Sequence, residues 1–74
     1  MEVLLFGLIA ERAGTHRIEL SANSTSELKD RLAERIEGLA ALSYAIAVDR
    51  RIQHGDMPLK GTEEIAVLPP FAGG

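Results

Sequence analysis

The chain has 74 residues, with 8 lysines and arginines against 11 aspartates and glutamates, a formal net charge of −3, and 46% hydrophobic content. That length holds one small domain, the charge offers no basic footprint for a nucleic-acid backbone, and the absence of cysteine excludes disulfides, thiolate metal sites and thiol redox chemistry. Phe6, Tyr44 and Phe71 are the only aromatic residues, so the core must be aliphatic, and a substrate pocket of roughly 300 Å³ or more is hard to build from so little material. A carrier, adaptor or binding module is therefore favoured over an enzyme acting alone.

In chain order, Val3 to Ile9 is a continuous apolar run, too short for an independent helix, and is predicted as a central strand with room for a helical turn between Leu8 and Gly14. Glu2 stands where a signal peptide would carry a basic flank, and the run is far too short to span a bilayer, which predicts a cytoplasmic chain without membrane contact. His16 to Leu20 alternates polar with apolar and is expected to pair antiparallel with the first strand. Ser24 stands three residues before Glu27, the spacing of a capping box, and a helix should start there. Leu28, Leu32, Ile36 and Leu39 recur at helical spacing and Gly38 marks the expected end. Tyr44 to Asp49 reads as a third strand, turned by Arg50 and Arg51, with Ile46 and Val48 on the core face and Ala45 and Ala47 opposite. Two glycines and Pro58 between Gln53 and Gly61 leave only a short edge strand or irregular turn near Ile52 and Leu59. Glu64 to Leu68 is a last strand, stopped by Pro69 and Pro70, which cannot donate to a sheet ladder. The organisation expected is a domain over residues 1–68 and an extended tail over 69–74.

This order implies an α+β roll, a mixed sheet of four to five strands with one main helix across one face. Strand alternation then divides the apolar residues. If Val3, Leu5, Ile65 and Val67 face the helix, Leu4, Phe6, Ala66 and Leu68 face the other way, beside Ala45 and Ala47, and nothing in the sequence remains to cover them. A contiguous exposed apolar patch on a small acidic protein predicts a partner surface.

Side-chain chemistry finds little support. His16 and His54 fall on different elements without metal-ligand spacing, so no metal site is predicted. Glu63 and Glu64 are adjacent, which on a strand points them to opposite faces and unfits them as an acid–base pair. The serines and threonine from Ser21 to Ser26 have turn and capping roles rather than a nucleophile elbow. What remains is the end of the chain, Pro69-Pro70-Phe71-Ala72-Gly73-Gly74. Prolines hold an exit extended, and two residues without Cβ can enter a channel too narrow for any side chain. The α-carboxylate at the tip is ionised at neutral pH and unreactive as an acyl donor, so a partner must activate it. Adenylation by ATP followed by sulfur attack would leave a C-terminal thiocarboxylate and would need nothing from this chain but access.

The α+β order, Ala47-Val48-Asp49, Gly55-Asp56, Glu64-Ile65-Ala66 and above all the Pro-Pro-x-x-Gly-Gly end make the chain similar to the small subunit of molybdopterin synthase, among the β-grasp, ubiquitin-like sulfur carriers. The resemblance covers the whole length. It departs from the family pattern at Ala10, where arginine is common, at Asp49, where asparagine is usual, and at Val67-Leu68, where phenylalanines are common. The resemblance implies that Gly74 is adenylated by a ubiquitin-activating-type adenylyltransferase using ATP and a sulfur donor, none of them bound by this chain. It further implies that the thiocarboxylate enters the large synthase subunit, in a heterotetramer, and passes sulfur to precursor Z in molybdenum cofactor biosynthesis. Phe6, Leu68, Pro69, Pro70, Phe71, Ala72 and Gly73 are then the expected partner-binding residues. The same terminal chemistry serves thiamine, cysteine and tRNA thiolation carriers and ubiquitin-like protein modifiers, and a plain interaction domain with an idle tail is a third reading.

Overall fold

The structure, a computed structural model, describes residues 1–69. Strand β1 (Glu2–Leu5) leads into a short helix, α1 (Gly7–Ala13), and strand β2 (Arg17–Glu19) returns beside β1. Helix α2 (Thr25–Arg35) is followed by a single 3-10 turn at Leu39–Ala41, then by β3 (Ala45–Val48), β4 (Arg51–Gln53) and β5 (Ile65–Leu68). The five strands form one sheet in the order β2-β1-β5-β3-β4, parallel only between β1 and β5 at its centre. The mixed sheet and its one main helix are as the sequence predicts.

The first strand is shorter than expected. The apolar run from Val3 to Ile9 breaks at Gly7, whose φ of +55° is left-handed, and Phe6 becomes the N-cap of α1. Ile9 and Ala10 are buried from a helix rather than from a strand. A short apolar run does not distinguish the two, because both place successive aliphatic residues against a core.

Helix α2 starts where the capping box places it. The Ser24 hydroxyl accepts from the Glu27 N–H at 3.1 Å, while the Glu27 carboxylate reaches one residue past its partner and accepts from the Asn23 N–H at 3.2 Å. Asp56 adds a second cap from the far side of the chain, accepting from the Ser26 N–H at 2.9 Å and the Thr25 hydroxyl at 3.1 Å. That hydroxyl in turn accepts from the Met57 N–H at 2.9 Å, so buried Thr25 staples the helix start to the loop before β5. A carboxylate at a helix N-terminus also meets the positive end of the helix dipole.

Leu28, Leu32, Ile36 and Leu39 are fully buried against Val3, Leu5, Ile46, Val48, Ile65 and Val67 of the sheet, which makes the core aliphatic as composition requires. Among the described residues every buried side-chain nitrogen or oxygen has a hydrogen-bond partner. No described helix is long and apolar enough to cross a membrane.

Between β3 and β4 the loop has two residues, since Val48 pairs with Arg51, and Asp49 and Arg50 both have positive φ, +50° and +69°. Such hairpins normally use Asn-Gly, because a Cβ opposes the left-handed region. Here the conformation is held from the neighbouring strand end. Asp49 N–H donates to the Glu64 carbonyl and its carboxylate accepts from the Glu64 N–H, both at 2.9 Å, while the Arg50 guanidinium lies 3.5 Å from the Glu64 carboxylate.

Candidate docking face and tail exit

The strand registers build the outer face of the sheet row by row. Leu4 lies beside Ala66, Ala66 beside Ala47, and Ala47 beside Ile52, which makes an apolar row across four strands. Leu68 lies beside Ala45 in the next row toward the end of β5. No described helix covers these side chains. Leu4, Ala45, Ala66 and Leu68 are half-buried only by their neighbours in the sheet, and Ile52 and Phe6 are 41% and 44% exposed. Val3, Leu5, Ile65 and Val67, one position away on the same strands, are at most 1% exposed. The parity expected from the sequence holds at these positions; Ala47, on the outer face by register, is nonetheless only 6% exposed, closed in by its neighbours in the sheet.

Charge on this face consists of pairs. Arg17 reaches Glu2 at 2.9 Å and Arg50 reaches Glu64 at 3.5 Å. Exposed pairs of this kind contribute at most about 1 kcal/mol each, so they leave the apolar rows as the distinctive feature of the face.

The tail leaves where this face ends. Pro69, half-buried, seats its ring over Gly7, so closely that a Cβ built on Gly7 would lie 3.0 Å from the proline Cγ. Gly7 thus has two reasons to be glycine, its positive φ and this contact, and sequence reading passed over both because the residue sits inside an apolar run. Leu8, the next residue of α1, is 43% exposed and extends the apolar surface near the exit. Of the expected partner-binding residues, Phe6, Leu68 and Pro69 are placed at this end of the sheet. Pro70, Phe71, Ala72, Gly73 and Gly74, the residue expected to react, lie outside the described residues.

Among the described residues the rest of the surface gathers few chemical groups. A hollow of about 430 Å³ between α1 and the start of β2 is lined by Gly7, Ala10, Glu11, Gly14, Thr15 and His16, and its titratable members, Glu11 and His16, are exposed. Among the described residues no three histidine, aspartate or glutamate side chains gather as a metal site would require. Glu63 is held below the ordinary glutamate range, first by the Lys60 N–H at 2.7 Å and then by other backbone N–H groups of its loop, including Gly61 at 2.9 Å. Tyr44 is pushed up by partial burial and by the nearby Asp30 carboxylate. Both are structural effects. Glu63 ties the loop that feeds β5, and Tyr44 packs at the edge of the core.

A helix-backed mixed sheet of this strand order, with parallel β1 and β5 at its centre and the chain end issuing from β5, defines a β-grasp protein of the ubiquitin-like kind. The chain belongs to the ThiS family, which matches residues 3–74. Among solved structures it is similar to a chain of the complex of subunits 1 and 2 of molybdopterin-converting factor from Helicobacter pylori 26695, at 30% identity and a TM-score of 0.73, covering 99% of this chain and 96% of that one. It shares its fold with SAMP1 from Haloferax volcanii, at 19% identity and a TM-score of 0.75 over 99% and 97% of the two chains. The small archaeal modifier protein 1 of Methanosarcina acetivorans aligns at 22% identity and a TM-score of 0.78, over 99% and 94%. No curated protein sequence matches the chain. The fold is thus one used by sulfur carriers and by ubiquitin-like modifiers.

Proposed function

We propose that this chain is the sulfur-carrying small subunit of molybdopterin synthase and that its one reacting group is the Gly74 carboxylate. The observation that carries the reading is the joint placement of an uncovered apolar sheet face and a strand, β5, that runs off that face into Pro-Pro-Phe-Ala-Gly-Gly. Membership of the ThiS family and the likeness to a chain of the molybdopterin-converting factor complex support it.

In the first step a carboxylate oxygen of Gly74 attacks the α-phosphorus of ATP in the active site of a ubiquitin-activating-type adenylyltransferase, and pyrophosphate leaves. Sulfide then attacks the acyl carbon and the bond to AMP breaks, or a persulfide sulfur attacks and a thiol cleaves its S–S bond to form a disulfide, and either way a thiocarboxylate remains. The loaded tail enters the large synthase subunit and yields its sulfur to precursor Z. No side chain of this protein takes part in these bonds. Its contribution is positional: Leu4, Ala66, Ala47, Ile52 and Leu68 dock the partner, Phe6 flanks the exit, Pro69 on Gly7 fixes where the tail begins, and Gly73 and Gly74 pass through a narrow channel.

The pathway is tested by reconstitution. The thiocarboxylated chain, mixed with the large synthase subunit and precursor Z, should form a complex and convert the precursor to the dithiolene product. A loaded chain that binds no large subunit but supplies sulfur in thiamine, cysteine or tRNA thiolation would move it to another branch of the family. Covalent conjugates of the chain with lysines of other proteins would identify it as a modifier.

A further inference from the structure

The hollow between α1 and the start of β2 takes no part in the function proposed above. It has a volume of about 430 Å³ and mainly apolar walls, enough to hold one long side chain. The chemistry of its rim decides which kind. N–H groups that could receive an anion are spent within the chain: Gly14 donates to the carbonyls of Ala10 and Glu11 at 2.9 and 3.3 Å, and Thr15 donates to the Ala10 carbonyl at 3.3 Å. The Thr15 hydroxyl is closed on Arg17, donating to its carbonyl at 3.1 Å and accepting from its N–H at 3.4 Å. Two exposed titratable groups remain, the Glu11 carboxylate and the His16 imidazole. Glu11 belongs to none of the ion pairs among the described residues, and residues 70–74 carry no basic side chain that could supply one. The two arginines nearest to it in sequence are engaged elsewhere. Arg12 lies over Gly38, beyond the end of α2, with a guanidinium nitrogen 2.7 Å from the place a Cβ would take there. Arg17 is paired with Glu2 at 2.9 Å on the outer face of the sheet.

We propose that this hollow seats a basic side chain, arginine or lysine, of the protein that docks on the outer face, with its stem on the apolar walls and its charge on Glu11. Such residues are the side chains that join a long aliphatic stem to a cationic end, and the two parts match the two parts of the hollow. A hydrogen bond from a cation to a carboxylate is stronger than one between neutral groups, and a covering partner strengthens it further by removing water. The imidazole of His16 can accept as well as donate, so it does not bar a cation. The hollow is continuous with the proposed docking face. Leu5 N–H donates to the His16 carbonyl at 2.8 Å, and Arg17, the next residue, lies beside Leu4 of the apolar row. Gly7, on the wall of the hollow, is also the residue against which Pro69 sits. A partner lying on Leu4 and Leu68 therefore has this seat at its edge, past Phe6. Which protein supplies the side chain rests on the reading of the chain as a synthase subunit, whereas the chemistry of the seat does not.

The test has two arms, both on the full chain. In the first, backbone amide spectra are recorded during titration with N-acetyl-arginine methylamide and with the citrulline derivative, its neutral isostere. The arginine compound should shift the resonances of Gly7, Glu11, Gly14, Thr15 and His16 with a Kd on the order of 10 mM, and the citrulline compound should bind at least about fivefold more weakly. Glu11→Gln should abolish that difference, while Glu34→Gln, which removes the same charge from an exposed position on α2, should preserve it. In the second arm, calorimetry with the adenylyltransferase and with the large synthase subunit should find that E11Q weakens at least one complex by about tenfold and flattens its salt dependence, with E34Q behaving as wild type. Equal binding of the two compounds, shifts that map elsewhere, or partner affinities untouched by E11Q would each overturn the proposal. So would a wild type that responds to neither compound while Phe71→Ala responds to both, since the chain's own tail would then fill the hollow. If the first arm behaves as expected and neither partner binds even the wild type, the seat for a basic side chain stands and the reading of the chain as a synthase subunit falls.

Discussion

The two faces of the sheet are made from alternate residues of the same strands, and they have opposite fates. Val3, Leu5, Ile65 and Val67 lie under α2 with Leu28, Leu32 and Ile36, sealed from water. Leu4, Ala66 and Leu68 differ from them by one position and lie under no described element, half-buried by their neighbours in the sheet. The inner face carries the stability of the domain, because burial of aliphatic surface is its main source of free energy in a chain without cysteine to form disulfides. The outer face contributes less to folding and leaves most of its apolar residues only half-buried, which is the surface proposed above to dock a partner. The difference teaches that in so small a protein the folding surface and the proposed working surface can be the two sides of one sheet, separated by pleat parity.

Substitutions can break this division or sharpen it. Leu32→Ala, which empties a fully buried position, should lower the unfolding free energy by about 3 kcal/mol in urea titration, a large part of the roughly 4 to 11 kcal/mol expected for a domain of this length. Ile52→Ala on the outer face should cost less than about 1 kcal/mol in the same measurement; equal losses would mean that the faces are not divided in this way. Phe6→Ala should leave the melting transition nearly unchanged and weaken binding to the adenylyltransferase or the large subunit by about tenfold in calorimetry, the scale of an aromatic residue near the centre of an interface. Gly7→Ala, forced into the left-handed region, should cost about 1 to 2 kcal/mol and also push Pro69 from its seat, seen as a shift of the Pro69 ring resonances.

The smallest effect belongs to Glu63. Its pKa is depressed in the folded chain, so its contribution is complete above the unfolded value of about 4.3 and is lost as the pH falls through the lower folded value. Amide exchange at Lys60 and Gly61 should therefore accelerate on acidification below that range, and Glu63→Gln should remove the pH dependence.

Much of this was legible in the sequence where the determinants are local. The Ser24–Glu27 spacing fixed the start of α2, because a cap is made within one turn, and the alternation along β1, β3 and β5 fixed which residues meet the helix. The strand misread was the one whose pattern is ambiguous in principle, Val3 to Ile9, where Gly7 was the available signal. The turn expected at Arg50 and Arg51 forms one residue earlier, at Asp49 and Arg50, and its positive φ angles were not legible, since neither residue prefers them and what holds Asp49 is Glu64, fifteen positions away. Asp56 capping α2 from thirty residues beyond is hidden for the same reason. The docking face was visible as a parity argument. The exposure of Ile52 was not, because its orientation depends on the pairing of a three-residue edge strand.

The central claim is that Gly74 is the group that is loaded, and intact-mass analysis of the chain tests it most directly. After incubation with its adenylyltransferase, ATP and a sulfur donor, the mass should rise by the exchange of one oxygen for one sulfur, and a chain extended by one alanine after Gly74 should show no such rise. An unchanged mass with an enzyme that loads another carrier under the same conditions would contradict the account.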